Sequence, residues 1–107
     1  MQVQINTANN IDGREALISG VEADVRAGLA RFGDRLTRVE VHVGDEANVR
    51  HGGADTRCMI EARPQGQDPM TVTDHAATPA LAVSGALRKI TTALDREFGK
   101  QDEKRGH

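Results

Sequence analysis

The side chains best suited to metal binding or acid–base chemistry in this sequence are its histidines and its single cysteine. His42, His51, His75 and Cys58 are the candidate metal ligands, but no pair of them has the C-x-x-C or H-x-x-x-H spacing of a metal-binding motif. Asp74 and His75 are adjacent, yet no nucleophile or oxyanion-stabilising loop accompanies them. A glycine-rich phosphate-binding loop is also missing. We therefore expect no metal site, no cofactor and no enzymatic activity.

Cations close to the end of the sequence could bind phosphate groups. Four of them recur at helical spacing on one face: Arg88, Lys89, Arg96 and Lys100. Asp95 is the single acidic residue on the same side, and Gly85 would allow a phosphate backbone to approach closely. From these residues alone, the preferred alternative is a solvated helix face whose cations suit the C-terminal end of the helix dipole.

Composition restricts the partners of such a surface. The chain has 14 Lys and Arg against 16 Asp and Glu, a formal net charge of −2, whereas general polyanion binders are strongly basic. Phe32 and Phe98 are the only aromatic residues, so a stacking platform for single-stranded bases is excluded. RNA binding would have to depend on a local patch. The lone Cys58 and the absence of a long apolar run predict a cytoplasmic protein that does not bind membranes.

Hydrophobic periodicity predicts the elements that position these residues. Val39, Val41 and Val43 alternate with polar residues, which indicates a central strand with one buried and one solvated face. Similar alternation gives four strands in all, over about residues 2–6, 36–45, 55–64 and 69–74. With a helix before the second strand and another after the fourth, the order is β-α-β-β-β-α. We expect an α+β two-layer sandwich in which a four-stranded sheet carries both helices on one face.

The first helix is predicted to start at Asp12, which has capping-box spacing to Glu15, and to end at Gly33 in a left-handed conformation. Its apolar stripe consists of Leu17, Ile18, Val21, Val25, Leu29 and Phe32. The opposite face carries small residues, with Arg26 and Arg31 at its edges: Ala16, Ser19, Gly20, Ala23, Ala27 and Ala30. Such a face permits close approach of another surface, although alanine is also simply a good helix former.

The second helix is predicted to start at Thr78-Pro79, an N-cap followed by a proline at the first helical position. Its buried stripe is Val83, Leu87, Ile90, Leu94 and Phe98. Gly99 is expected to end the helix. These boundaries predict one domain over residues 1–99 and a charged, disordered tail over residues 100–107.

Taken together, these segments resemble the short hibernation-promoting factor and ribosome-associated inhibitor family. The resemblance spans roughly Met1 to Phe98 and is carried by the opening M-Q-V-Q-I, the helix I-D-G-R-E-A-L running to R-F-G-D, the strand L-T-R-V-E-V-H-V and the segment A-V-S-G-A-L-R-K-I. The sequence departs from the family pattern at Thr92 and Asp95, where cations are typical, and at Ala80, where an aromatic residue is usual.

This resemblance implies a fold like that of double-stranded RNA-binding domains. It also implies a stress-response function: the protein would occupy the small ribosomal subunit, with its 16S-type rRNA, near the decoding region and block translation. Matching the last helix assigns rRNA contacts to Lys89 and then to Arg96. Geometry alone adds further neighbours: Arg26, Arg31, Arg88 and Lys100.

A second hypothesis belongs to another class of function. The chain would keep the same fold as a non-enzymatic interaction module and use the small-residue face of the first helix to form a homodimer or bind a protein partner.

Overall fold

The structure is a computed structural model that describes residues 1–7, 13–48 and 53–105. Its elements, in chain order, are β1 (Gln2–Thr7), α1 (Arg14–Gly28), a 3-10 helix (Ala30–Arg35), β2 (Leu36–Asn48), β3 (Gly53–Pro64), β4 (Met70–Ala76) and α2 (Pro79–Arg105). This element order agrees with the β-α-β-β-β-α prediction.

The four strands form one mixed sheet in the order β1-β2-β3-β4. The strand β1 runs parallel to β2, with Val3 beside Val39, and the pairs β2–β3 and β3–β4 are antiparallel. A parallel neighbour requires a crossover, which α1 provides, whereas the later strands are joined by hairpin connections. The predicted topology is confirmed.

The hydrophobic core lies between the sheet and the two helices. Val39, Val41 and Ile60 project from the central strands and are fully buried, as are Leu29 and Ile90 from the helical layer. Burying one such aliphatic side chain stabilises the fold by about 1.5–3 kcal/mol. The alternation of valines predicted the buried face of the sheet correctly, and Cys58 lies on that face.

The first helix differs from its prediction at both ends. Its N-cap is Gly13, with φ 69°, so α1 begins one residue later than a cap at Asp12 requires, and Asp12 itself lies outside the described residues. The helix ends at Gly28, and Gly33 lies in the 3-10 helix without a positive φ. Because residues three apart eclipse in a 3-10 helix, this turn places Leu29 and Phe32 together in the core.

The second helix continues to Arg105, so the predicted end at Gly99 is wrong. Residues 100–105 are helical where the sequence predicts a disordered tail; the division into a domain of residues 1–99 and a tail stays a prediction. The β2–β3 hairpin is also longer than predicted, with Asn48 paired to Gly53. His51 and Arg50 lie outside the described residues.

Candidate nucleic-acid interface

Five cations form what we call the basic surface: Arg88, Lys89, Arg96 and Lys100 on α2, and Arg31 on the 3-10 helix. The rotation of α2 is set by Ile90, Leu94 and Phe98, which are buried against the sheet. Its start is capped by Thr78, whose hydroxyl accepts a hydrogen bond from the Leu81 N–H at 3.2 Å. The opposite side of the helix therefore faces solvent, and all five cations are exposed.

Three members of the basic surface form a row along α2. Lys89, Arg96 and Lys100 are separated by seven and four residues, and at about 100° per residue they lie within about 40° of one another around the helix axis. Arg88 lies to one side of this row. A row of this kind can follow a phosphate backbone, since successive cations meet successive phosphates.

Arg88, Arg96 and Lys100 form no ion pair with a carboxylate whose side chain the structure describes. The nearest polar contact of Arg88 is a 3.4 Å hydrogen bond from Nη1 to Oγ of Ser84. Because none of the three is ion-paired with a described carboxylate, these cations are the ones most available to phosphate.

Lys89 is held by the edge strand β4. Its Nζ donates to the main-chain oxygen of Thr73 at 2.7 Å and to Oδ1 of Asp74 at 3.2 Å. The hydrogen bond from Lys89 is the main cause that lowers the pKa of Asp74, and the charge of Arg88 lowers it further. An ammonium has three donors and this side chain is 53% exposed, so a phosphate would have to share Lys89 with β4.

Gly85 does not leave room for a phosphate backbone, which corrects the sequence-based expectation. The residue is buried against β4, where a Cβ would overlap Oδ2 of Asp74. The absence of a side chain at this position accommodates Asp74 instead. Alternation in β4 turns Asp74 toward the helical layer, and its neighbour His75 toward the other face of the sheet.

Arg31 joins the basic surface from the 3-10 helix. Its Nη2 lies 2.7 Å from Oδ2 of Asp95, and its Cζ lies 4.6 Å from the centre of the Phe32 ring. The contact spans 64 residues of sequence, so nothing in the local pattern predicts it. Arg31 thus lies against α2, but it is held there by an ion pair with Asp95.

Arg26 does not join the basic surface. Its Nε lies 3.3 Å from Oε1 of Glu22, one turn earlier in α1, and its Nη1 lies 3.5 Å from the main-chain oxygen of Met1. Met1 precedes β1, which is the edge of the sheet opposite β4. Two further strands separate the edges, so Arg26 lies at the far side of the molecule.

Sequence reasoning missed Arg35, whose guanidinium carbon lies 3.9 Å from the centre of the Phe98 ring. Its nitrogens donate to Asp102 and Gln101, both at 3.3 Å. The rings of Phe98 and Phe32 are 5.6 Å apart, so Arg31, the two rings and Arg35 pack as one stack. This stack attaches the 3-10 helix to the last turns of α2.

The solvated face of the sheet is a mixture of both charges. Glu40 pairs with Arg38 and lies 3.7 Å from Nε2 of His42, both on its own strand. The register also places Glu61 directly beside Glu40. This face therefore lacks the excess of cations that marks the basic surface.

No cluster of three potential metal ligands occurs among the described side chains. Cys58 is fully buried, and burial, followed by the charge of Asp74, raises the pKa of its thiol to about 11. Such a thiol is protonated at neutral pH and is a poor ligand or nucleophile.

Five of the six small residues lie on α1, and the sixth, Ala30, begins the 3-10 helix. All six are exposed, and a Cβ added at Gly20 would meet no atom within 4 Å. The face is open to another surface over the length of α1.

The fold defines a class of protein: an α+β sandwich with one mixed four-stranded sheet, two helices on one face and an exposed cationic flank on the last helix. Solved structures share this fold. A ribosomal subunit interface protein from Coxiella burnetii matches with a TM-score of 0.69 at 15% identity, over 92% of this chain and 99% of that one. The N-terminal domain of Protein Y from Thermus thermophilus matches with a TM-score of 0.56 at 17% identity, over 90% and 98% of the two chains.

These matches confirm the fold that the family resemblance implies. No family model matches the chain, and no curated protein matches it. Within the described residues, neither helix has the length and apolar character needed to cross a membrane.

Proposed function

We propose that this protein belongs to the hibernation-promoting factors and acts in the cytoplasm by binding the small ribosomal subunit. The basic surface would contact 16S-type rRNA near the decoding region, and the bound protein would exclude messenger and transfer RNA. No catalytic step or cofactor is involved.

The observation that supports this proposal most directly is the exposure of Arg88, Arg96 and Lys100, without a described ion-pair partner, on a fold shared with a ribosomal subunit interface protein. Phosphate contacts of this type derive their free energy largely from counterion release. A surface of three cations without a described ion pair and two ion-paired cations would give a slope of log K against log salt of about −2 to −4. The proposal therefore predicts strongly salt-dependent binding in spite of the formal net charge of −2.

The test is co-sedimentation of the protein with purified small subunits over about 50 to 200 mM salt. The double variant Arg96→Glu with Lys100→Glu should lose most of its binding, because both side chains are exposed and have no described carboxylate partner. The single variant Arg96→Glu is compared with Arg63→Glu, which makes the same charge change on the solvated face of the sheet. Arg96→Glu should weaken binding, whereas Arg63→Glu should bind nearly as well as the unmodified protein.

Lys89→Glu is a separate variant, since it also breaks the contacts to Thr73 and Asp74. A loss of binding by Lys89→Glu supports an rRNA contact at Lys89 only if circular dichroism shows that the variant is folded. Binding that does not respond to salt, or equal losses for Arg63→Glu and Arg96→Glu, would contradict the proposal.

The second candidate function is self-association or binding of a protein partner through the small-residue face of α1. The exposure of these residues favours it, because helices pack closest where side chains are small. Sedimentation equilibrium of the pure protein should then show a dimer that Ala23→Glu or Ala27→Glu disrupts. Ala80→Glu, at an exposed alanine of α2, is the control; a monomer at all concentrations excludes the dimer.

A further inference from the structure

Asp95 lies in the middle of the basic surface. Arg88 is seven residues before it, two turns along the same side of α2, and Arg96 follows it directly. Its partner is Arg31, which reaches it from the 3-10 helix at 2.7 Å. A negative charge thus lies where the basic surface would otherwise continue from α2 to the 3-10 helix.

The Arg31–Asp95 pair is exposed, and the Arg31 guanidinium is held in place by its neighbours. The two side chains are 57% and 48% exposed, and the Phe32 ring supports the guanidinium from one side. A guanidinium has five N–H donors, and Asp95 is the only described residue that accepts from Arg31. The remaining donors and the exposed edge of the pair are accessible to an anion.

We propose that Asp95 is an intramolecular competitor for phosphate: it occupies Arg31 in the free protein and is displaced when RNA binds. This inference rests on the proposed function. Carboxylate and phosphate oxygens offer a guanidinium the same kind of acceptor. Because an exposed ion pair contributes little to stability, a phosphate exchanges with Asp95 at small cost. Asp95 thereby weakens RNA binding by the basic surface.

The other ion pair of the basic surface, Lys89–Asp74, has a different character. Its carboxylate is only 27% exposed, and Lys89 also donates to the main chain of β4. That pair holds α2 to the sheet. The Arg31–Asp95 pair has no such task, because Phe32 and Phe98 already join the 3-10 helix to α2 with ring centres 5.6 Å apart. Asp95 can therefore be neutralised without loosening the fold.

The experiment compares Asp95→Asn with the unmodified protein in binding to small subunits over about 50 to 200 mM salt. We expect affinity to rise about two- to fivefold at low salt and the salt slope to steepen by about one, the effect of one additional phosphate contact. Glu22→Gln and Asp102→Asn are the matched controls, since each removes one negative charge from another arginine pair. Their gains should be smaller.

The deciding variant is Asp95→Asn in an Arg31→Gln background. If Asp95 acts by occupying Arg31, neutralising Asp95 in the Arg31→Gln background should raise the affinity no more than Glu22→Gln does in the unmodified protein. If Asp95→Asn raises the affinity as much in that background as it does alone, the inference is overturned. If the unmodified protein binds and Asp95→Asn gains no more than the controls, only this inference fails. If Asp95→Asn binds small subunits whereas the unmodified protein and the controls do not, the inference is supported. If no variant binds, the proposed function is overturned as well.

Discussion

Gly85 was interpreted from the sequence as an opening for a phosphate, and the structure assigns it to packing. A Cβ at this position would overlap Oδ2 of Asp74 and lie 2.8 Å from its Cγ. The carboxylate is in turn held by Lys89. The three residues form one contact between α2 and β4, and the contact requires the absence of a side chain at residue 85.

We predict that Gly85→Ala does not stabilise the protein, although alanine in a helix interior is favoured over glycine by about 1 kcal/mol. The added methyl group must displace Asp74 and break its pair with Lys89. Gly99→Ala, in the same helix with no atom within 4 Å of its Cβ, is the control and should stabilise by about 0.5–1 kcal/mol. Urea unfolding measures both.

A double-mutant cycle separates packing from local propensity. In an Asp74→Ala background the obstruction is removed, so Gly85→Ala should become stabilising by about 0.5–1 kcal/mol. The same stabilisation in the unmodified protein would show that Asp74 does not restrict this position.

Among the elements, the last turns of α2 depend on the 3-10 helix. Gly99 lies in the helix interior without a positive φ. Arg35 stacks on Phe98, just before the predicted helix end at Gly99, and donates to Gln101 and Asp102 just after it. These contacts reach across 66 and 67 residues of sequence. A local glycine signal is overridden because a distant arginine stabilises the next turn.

We predict that Arg35→Ala shortens α2 from its C-terminal end. Loss of the stacking contact, worth about 0.5–1 kcal/mol at an exposed site, and of both hydrogen bonds should leave residues 100–105 frayed. Hydrogen exchange measures this directly: amides after Gly99 should lose protection while those around Ile90 keep it. Arg31→Ala, which removes an arginine from the other end of the stack, is the control and should leave these amides protected.

Over the whole molecule, the sheet and helices enclose a core that includes the thiol of Cys58 on the central strand β3. Its two neighbours in the sheet are Val43 on β2 and Asp74 on β4. The thiol is fully buried and its pKa is raised to about 11, chiefly by that burial. Exposing it requires the two layers to separate.

We therefore predict that a thiol reagent at pH 8 modifies Cys58 only at the rate of global unfolding. With a pKa of about 11 in the folded protein, about one thiol in a thousand is ionised at that pH. Raising the reagent concentration should leave the rate unchanged once unfolding limits it. The denatured chain should react at once; fast reaction of the folded protein would show that β3 opens locally.

Sequence alone determined the order of the elements, the topology of the sheet and the apolar faces, because periods of two and of 3.6 residues are local properties of the chain. It also located the cationic face of the last helix. The tertiary structure decided the state of each cation. Lys89 is shared with β4, Arg31 is paired with Asp95, Arg26 lies at the far edge, and Arg96 and its neighbours remain exposed. These outcomes depend on which elements dock side by side, and ion pairs between residues 15 and 64 positions apart leave no periodic signal in the sequence.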